Sequence, residues 1–383
     1  MSLDDTTVCM LVTNDVSRDT RVRREARALM DAGAAVTIIG VGDGDPISPG
    51  DLDIRLLNPV RASTHPNRLI RIAVNVVRTL RFEREMSAAA SKLRADIYHC
   101  NDLDTLAAGA RAASPTGARL VYDSHELFLE GEGTVGHWQR PFWARTERRW
   151  LPRADLVITV NDLIAEELSI RYHTDKPVVV LNGPGHCSVG SEPVSTPLRL
   201  FFQGSFTEGR ALPELIEAMA QVRDVATLSL QGYGPLEALA RGLVAQLKLD
   251  DVVEFVPPCA PEDTALASAG YDVGIVGSTM VQRNSQLASP NKLFSYLGGG
   301  LALLVPDLPV MRSVVEQYGC GMIVSEMSPE TLAGAIRWMA EHPEDVARMK
   351  QGAVRACAEY SWETQAKKLV NAYANVPGSG AAS

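Results

Sequence analysis

Short runs of Val, Ile and Leu alternate along the chain with stretches whose apolar residues recur at spacings of three and four. The first run covers residues 8–13. It is followed over 19–32 by a pattern that puts Val22, Ala26, Leu29 and Met30 on one helical face, with Gly33 at the left-handed position that ends such a helix. Further strands are predicted at 36–41, 96–100, 120–122, 156–160 and 178–181. The segment 182–197 is rich in Gly, Ser and Pro and reads as a linker. Alternation then restarts, with strands predicted at 198–203, 227–231, 252–256, 273–276, 302–305 and 322–324. Two helices, near 344–360 and 364–374, close the chain. Apolar runs without polar alternation imply strands buried on both faces, as in parallel sheets covered by helices. The expected fold class is α/β, with two doubly wound domains facing each other across a cleft at the C-terminal ends of their strands. The expected division is a first Rossmann-like domain at 1–181, a linker at 182–197, a second such domain at 198–360, and a closing helix and tail at 361–383 that pack back on the first domain.

Composition narrows the chemistry. The 383 residues carry 37 Lys and Arg against 46 Asp and Glu, a net charge of −9, which argues against a nucleic-acid partner. Six cysteines lie far apart without a CxxC pair, so six reduced thiols are expected, with neither a zinc site nor a disulfide framework. No basic segment followed by an apolar stretch opens the chain, and no apolar run approaches the roughly 20 residues of a membrane span, so a cytoplasmic location is expected. One surface departs from the acidic average. Residues 67–90 read as a helix bearing Arg68, Arg71, Arg78, Arg81 and Arg84, with Leu69, Ile72, Val76 and Leu80 as its apolar stripe. Such a helix is either a solvated face over a core or a candidate for peripheral contact with an anionic membrane. Arg145, Arg148, Arg149 and Arg153 repeat that ambiguity.

Three stretches of the second half carry candidate chemistry. In LSLQGYGP, Gly232 and Gly234 follow a strand and precede a helix, which suits either close approach to a ligand or an ordinary turn. In FQGSFTEGR, a strand ends at Gly204 and Arg210 begins the next helix, a place for a diphosphate. In NSQLASPNKLFSYLGGG, Ser289 is expected to cap a helix with Pro290 in its first turn. Asn284, Ser285, Asn291, Lys292 and Ser295 would line the exposed start, where backbone amides and the Lys292 charge favour an anion. In the first half, polar residues gather at strand ends: Asp15, Asp19 and Arg21, then His99 and Asp102, then Asp123, His125 and Glu126. Each histidine taken singly is as well explained by a satisfied structural side chain. His99 and His125 lack a third ligand at zinc-like spacing, so no metal is expected.

The stretches FQGSFTEGRALPELIEAM, LSLQGYGP, VVEFVPP, YDVGIV and SPNKLFSYLGGGLALLVPDLPVMRSVVEQYGCG together resemble the family-four glycosyltransferases of the GT-B fold. DTRVRREARALMDAGAAVTII, ADIYHCNDLDTL, VYDSHELF and ERRWLPRADLVITVNDLIAEEL extend the resemblance over most of the chain. The PNKLF and DSHELF blocks are its most specific parts. The resemblance implies two Rossmann-like domains, a nucleoside diphosphate sugar as donor, a hydroxyl acceptor, retention at the anomeric carbon, and no cofactor or metal. It implies donor binding by Gly204, Arg210, Gly232, Gly234, Asn284, Ser285, Asn291, Lys292 and Ser295. Acceptor binding falls to Asp15, Asp19, Arg21 and Asp102, and catalytic roles to His99, His125, Glu126, Arg210 and Lys292. Where such families place a ribose-gripping glutamate, this chain has Ser295, and eight residues earlier it has Leu287. That departure keeps two other readings open: a catalytically weak GT-B partner protein, and a sugar-nucleotide 2-epimerase.

Overall fold

The computed structural model describes residues 2–17, 19–42, 52–60, 63–130, 139–188, 193–279, 286–287 and 289–376. The chain divides into two compact units, residues 1–181 with 366–383, and residues 182–365.

Unit 1 is built on a seven-stranded parallel sheet of order β3-β2-β1-β4-β5-β6-β7. Its strands are β1 (Thr7–Leu11), β2 (Ala35–Val41), β3 (Asp53–Leu57), β4 (Ile97–Asn101), β5 (Arg119–Ser124), β6 (Leu156–Thr159) and β7 (Val178–Val179). The helices are α1 (Thr20–Asp31), α2 (Arg68–Ser91), α3 (Leu103–Ala113), α4 (Arg140–Trp150) and α5 (Asp162–Tyr172). Side-chain caps start three of them, one being α2, where Asn67 accepts the Ile70 amide at 3.3 Å. Asp19 accepts the Val22 amide at 3.1 Å and Asn161 accepts the Ile164 amide at 2.9 Å, each replacing a bond the first turn cannot make for itself. The chain's last helix, α13 (Trp362–Ala374), places its end in this unit, where Tyr373 bonds His99 and the Val376 carbonyl accepts from Arg119 at 2.9 Å.

The sequence pattern misses β3. Asp53 and Arg55 point out from this edge strand and break the continuous apolar run by which the other strands are recognised.

Unit 2 repeats the plan. Its strands are β8 (Leu198–Gln203), β9 (Ala226–Gln231), β10 (Val253–Val256), β11 (Val273–Ile275), β12 (Ala302–Pro306) and β13 (Gly321–Val324), in the order β10-β9-β8-β11-β12-β13 and all parallel. The helices are α6 (Leu212–Val222), α7 (Glu237–Leu247), α8 (Thr264–Ser268), α9 (Asn291–Gly299), α10 (Pro309–Tyr318), α11 (Pro329–Glu341) and α12 (Pro343–Tyr360). Leu200, Phe202, Leu228 and Leu230 of the sheet pack with Leu215, Ile216 and Met219 of α6 and with Leu332 and Ile336 of α11. In each sheet the strand order reverses beside the first strand of the unit, β1 or β8. Such a reversal is where doubly wound sheets hold ligands, at the C-terminal ends of the strands.

Three local expectations change. Pro290, not Ser289, occupies the cap of α9, and Asn291 is its first residue. Arg210 lies two residues ahead of α6, which starts at Leu212 after a left-handed Ala211. The expectation of six reduced thiols fails at Cys187 and Cys357, which form a disulfide with Cα atoms 5.9 Å apart across 170 residues of sequence. The segment 182–188 runs against α9 and α12: the Ser188 amide bonds the Gly298 carbonyl at 2.8 Å, and the Pro184 carbonyl accepts from Trp362 at 2.9 Å. That course brings two cysteines together which sequence spacing alone could not pair.

Candidate functional site

In unit 2 the candidate site begins where β8 runs out. Gly204 follows at φ 137°, and Gly232 follows β9 at φ 156°. A β-carbon on Gly232 would fall on the Gly204 carbonyl oxygen, so only glycine lets these two turns approach. Lys292, in the first turn of α9, reaches across them. Its Nζ lies 4.4 Å from the centre of the Phe202 ring and beside Gly204. The residue as a whole is half-buried, but Nζ itself is enclosed and among the described residues has no hydrogen-bond partner. Burial, and then the nearby Arg210 charge, push the Lys292 ammonium down to about 7. An unpaired buried cation beside a second cation is costly in the absence of an anion, and a diphosphate answers both.

Around this pair, Asn291 accepts from the Asn182 side-chain amide at 3.0 Å. Ser295 is buried, and its hydroxyl donates to the Asn291 carbonyl at 3.2 Å and stands 3.1 Å from the Thr264 hydroxyl of α8. Gln203 donates to Gln231 at 2.7 Å and to the Thr264 carbonyl at 3.2 Å, while Gln231 donates to the Pro257 carbonyl at 3.0 Å. This amide chain ties the ends of β8, β9 and β10 into one rigid edge. Asn284 and Ser285 lie outside the described residues.

In unit 1 the polar residues at the strand ends form one charged cluster. Arg21 of α1 lies inside it, 5% exposed, donating to both carboxylate oxygens of Asp123 at 3.0 and 2.9 Å and to the Val180 carbonyl at 2.8 Å. Glu25, one helical turn on, sits 3.0 Å from the same guanidinium. Burial raises its carboxyl to about 8, more than Arg21 lowers it. Burial acts in the same sense on Asp123 but is outweighed by Arg21 and His125, which hold that carboxylate well below its usual range. His125, 19% exposed, presents one ring nitrogen to Asp123 at 3.1 Å and the other to Asp102 at 3.3 Å. His99 is wholly enclosed. Its Nδ1 bonds the Tyr373 hydroxyl and its Nε2 faces Glu25 and Asp123 at 3.6 and 3.8 Å. A side chain so enclosed touches no ligand from where it stands, and the same holds for Arg21. Both act behind the surface that Asp102, His125 and Glu126 share. Asp19 caps α1 and also accepts from Asn14 at 2.6 Å, while Asp15 accepts the Ser17 amide at 3.0 Å.

Glu25, His99 and Asp123 bring ligand atoms within 4.8 Å of one another, the spacing of a metal site. The guanidinium of Arg21 already stands against both carboxylates, so the cation place of this cluster is filled by the protein itself.

Comparison with known proteins now bears on this geometry. The Glycosyl transferase 4-like domain matches residues 19–185. The chain is 24% identical over 254 residues to the putative colanic acid biosynthesis glycosyltransferase WcaL of Escherichia coli K12, covering 64% of this chain and 61% of that one. It is 23% identical over 317 residues to a D-inositol 3-phosphate glycosyltransferase of a Nocardioides species, covering 73% and 67%. The chain thus spans about 61% of the length of the first of these relatives. The structure of HepE from Anabaena in complex with UDP superimposes with a TM-score of 0.72 at 15% identity, over 96% of this chain and all of that one. The chain thus carries a Glycosyl transferase 4-like domain over residues 19–185 and shares the GT-B fold of the HepE structure.

Within this chain the sequence motifs point to Lys292, Arg210 and the glycine turns, because strand-end glycines and a helix-start lysine are readable as such. Glu25, Phe202, Thr264 and Tyr373 escape them. The spacing of Arg21 and Glu25 on α1, one turn apart, is the signal that marks Glu25. Tyr373 lies 274 residues from His99 and leaves no local trace.

Proposed function

We propose that this chain transfers a sugar from a nucleoside diphosphate sugar to a hydroxyl acceptor, with unit 2 holding the donor and retention at the anomeric carbon. The observation that carries the reading is the enclosed, partnerless Lys292 ammonium beside Arg210, at the edge where Gly204 and Gly232 bring backbone within reach of a ligand. In the reaction the bond from the anomeric carbon to the departing phosphate oxygen breaks and a bond to the acceptor oxygen forms. The acceptor proton passes to a departing phosphate oxygen. Lys292 and Arg210 stabilise the charge that gathers on the diphosphate, which is where fixed cations lower a barrier most. Asp102, His125 and Glu126 bound the acceptor side. HepE, whose structures hold UDP and UDP-glucose, supports a uridine donor as the first to try.

The acceptor is proposed to lie at an anionic membrane surface on the cytoplasmic side. On α2, Arg71, Arg81 and Arg84 are exposed together with Ile70 and Val77, which are 46% and 64% exposed, while Ile72, Val76 and Leu80 are half-buried. The side chains of Arg68 and Leu69 lie outside the described residues. Among the described residues no helix is long and apolar enough to cross a membrane.

Turnover of UDP-glucose and other nucleoside diphosphate sugars by the wild type, Lys292→Met and Arg210→Ala tests the assignment. Each variant is expected to lose about a hundredfold in rate, the cost of one charge-stabilising donor. Unchanged rates in both would remove the donor site from unit 2.

A further inference from the structure

Asp102 stands out for its backbone. It precedes α3 at φ 62° and ψ 170°, a conformation that glycine adopts and other residues rarely do, and it makes no side-chain cap to the helix it precedes. What the conformation delivers is contact with the next strand end. The Asp102 amide donates to the Asp123 carbonyl at 2.9 Å. One carboxylate oxygen accepts the His125 amide at 3.0 Å and the other stands 3.3 Å from His125 Nδ1. On the far side of the ring, Nε2 stands 3.1 Å from Asp123 Oδ2, an oxygen already fixed by Arg21.

This arrangement decides the state of the ring. An ionised carboxylate only accepts hydrogen bonds, and a neutral imidazole has one N–H and one lone pair. A neutral ring here would aim a lone pair at a carboxylate oxygen, whereas a ring with two N–H groups satisfies both. We propose that Asp102 is a positioning residue whose strained backbone, with Asp123, clamps His125 as a doubly donating imidazolium. His125 is then a fixed positive charge on the acceptor side and has no basic nitrogen left to take a proton. On the proposed transfer reaction, this assigns the acceptor proton to the departing phosphate and to no side chain of unit 1, and that consequence alone rests on the functional reading.

The charged and titratable groups around the ring come from every element packed on it: Arg21 and Glu25 of α1, His99 of β4, Asp102 and Asp104 at the start of α3, Asp123 of β5, and Tyr373 of α13. Burial disfavours the imidazolium, and Asp102 and Asp123 together outweigh it, so the His125 titration lies well above its ordinary range.

The test is a nitrogen-15 NMR titration of the seven ring systems in the full chain, with His125 assigned by its loss in His125→Gln. In the wild type, His125 is expected to show two protonated nitrogens throughout pH 6 to 8. In Asp102→Asn, its midpoint is expected to fall by at least about one pH unit, since an adjacent opposite charge moves a pKa by 1–3 units. Asp102→Gly, which suits the backbone conformation, should give the same fall with the melting temperature as a check on folding. A wild-type His125 found neutral at pH 7, or a midpoint unmoved in both variants, overturns the clamp. Where turnover is measurable at saturating donor, the rate of Asp102→Asn relative to the wild type should decline as pH rises through the new midpoint, which separates the His125 effect from that of Lys292, present in both. Failure of sugar transfer would leave the NMR result to stand or fall by itself.

Discussion

The two sheets follow one plan, yet the charges at their C-terminal edges are arranged in opposite ways. In unit 1, Arg21 faces Asp123 and Glu25, and His125 faces Asp102 and Asp123, so buried charge meets buried charge of the other sign. In unit 2, the enclosed Lys292 ammonium faces another cation and an aromatic ring. One edge completes its electrostatics on folding and gains a stiff surface. The other is left short of negative charge, which is the deficit that the proposed diphosphate would fill. Satisfied networks hold shape, whereas unsatisfied groups are kept at a cost in stability for what they bind.

The contrast breaks most sharply at Arg21. Arg21→Met should destabilise the protein by about 3–5 kcal/mol, because it removes the guanidinium that both oxygens of the buried Asp123 carboxylate bond. Urea unfolding reads this directly, and a loss under about 1 kcal/mol would mean that the network is not the closed unit described.

A gentler test compares the edges through pH. Lys292 has its folded titration near 7, below its unfolded value, so the free folded state binds fewer protons than the unfolded chain above that pH. Stability of the free protein should therefore gain from Lys292 as pH rises from 7 towards 10, and Lys292→Met should abolish that gain. Bound diphosphate favours the charged amine and raises its titration. Affinity for UDP should then fall as pH rises above 7, by up to about tenfold per unit, until the bound-state titration is passed. Calorimetry in buffers of different ionisation heat would register the accompanying proton uptake. Affinity that is flat between pH 7 and 9 would contradict an enclosed, partnerless amine.

The smallest effect is expected at the rim of the closed network. Tyr373→Phe removes the hydroxyl that bonds His99 and should cost about 1 kcal/mol, the net worth of an ordinary internal hydrogen bond. Thermal unfolding compared with the wild type measures it.

How much of this was readable beforehand depends on how local each cause is. The buried strands are legible because Val, Ile and Leu runs such as LRLFFQ of β8 have no other use in a globular chain. Lys292 is legible because a proline beside a helix start marks an exposed N-terminus, although Pro290 proves to be the cap itself. His99 and His125 look alike in sequence, each at the end of an apolar strand. Only the packing of α1 and α13 over the sheet separates the enclosed ring from the one at the surface. The Asp102 conformation, the Cys187–Cys357 bond and the reach of Tyr373 depend on long-range contacts that no window of sequence contains.

The placement of α13 also fixes an order of events at the ribosome. The residues of unit 2 have all emerged by residue 365, but unit 1, whose strands come first, lacks Tyr373 until eight residues later. His99 is therefore without its hydroxyl partner for the whole time the second unit is being made. A chain cut short before residue 366 would keep all of unit 2 but leave unit 1 without this contact.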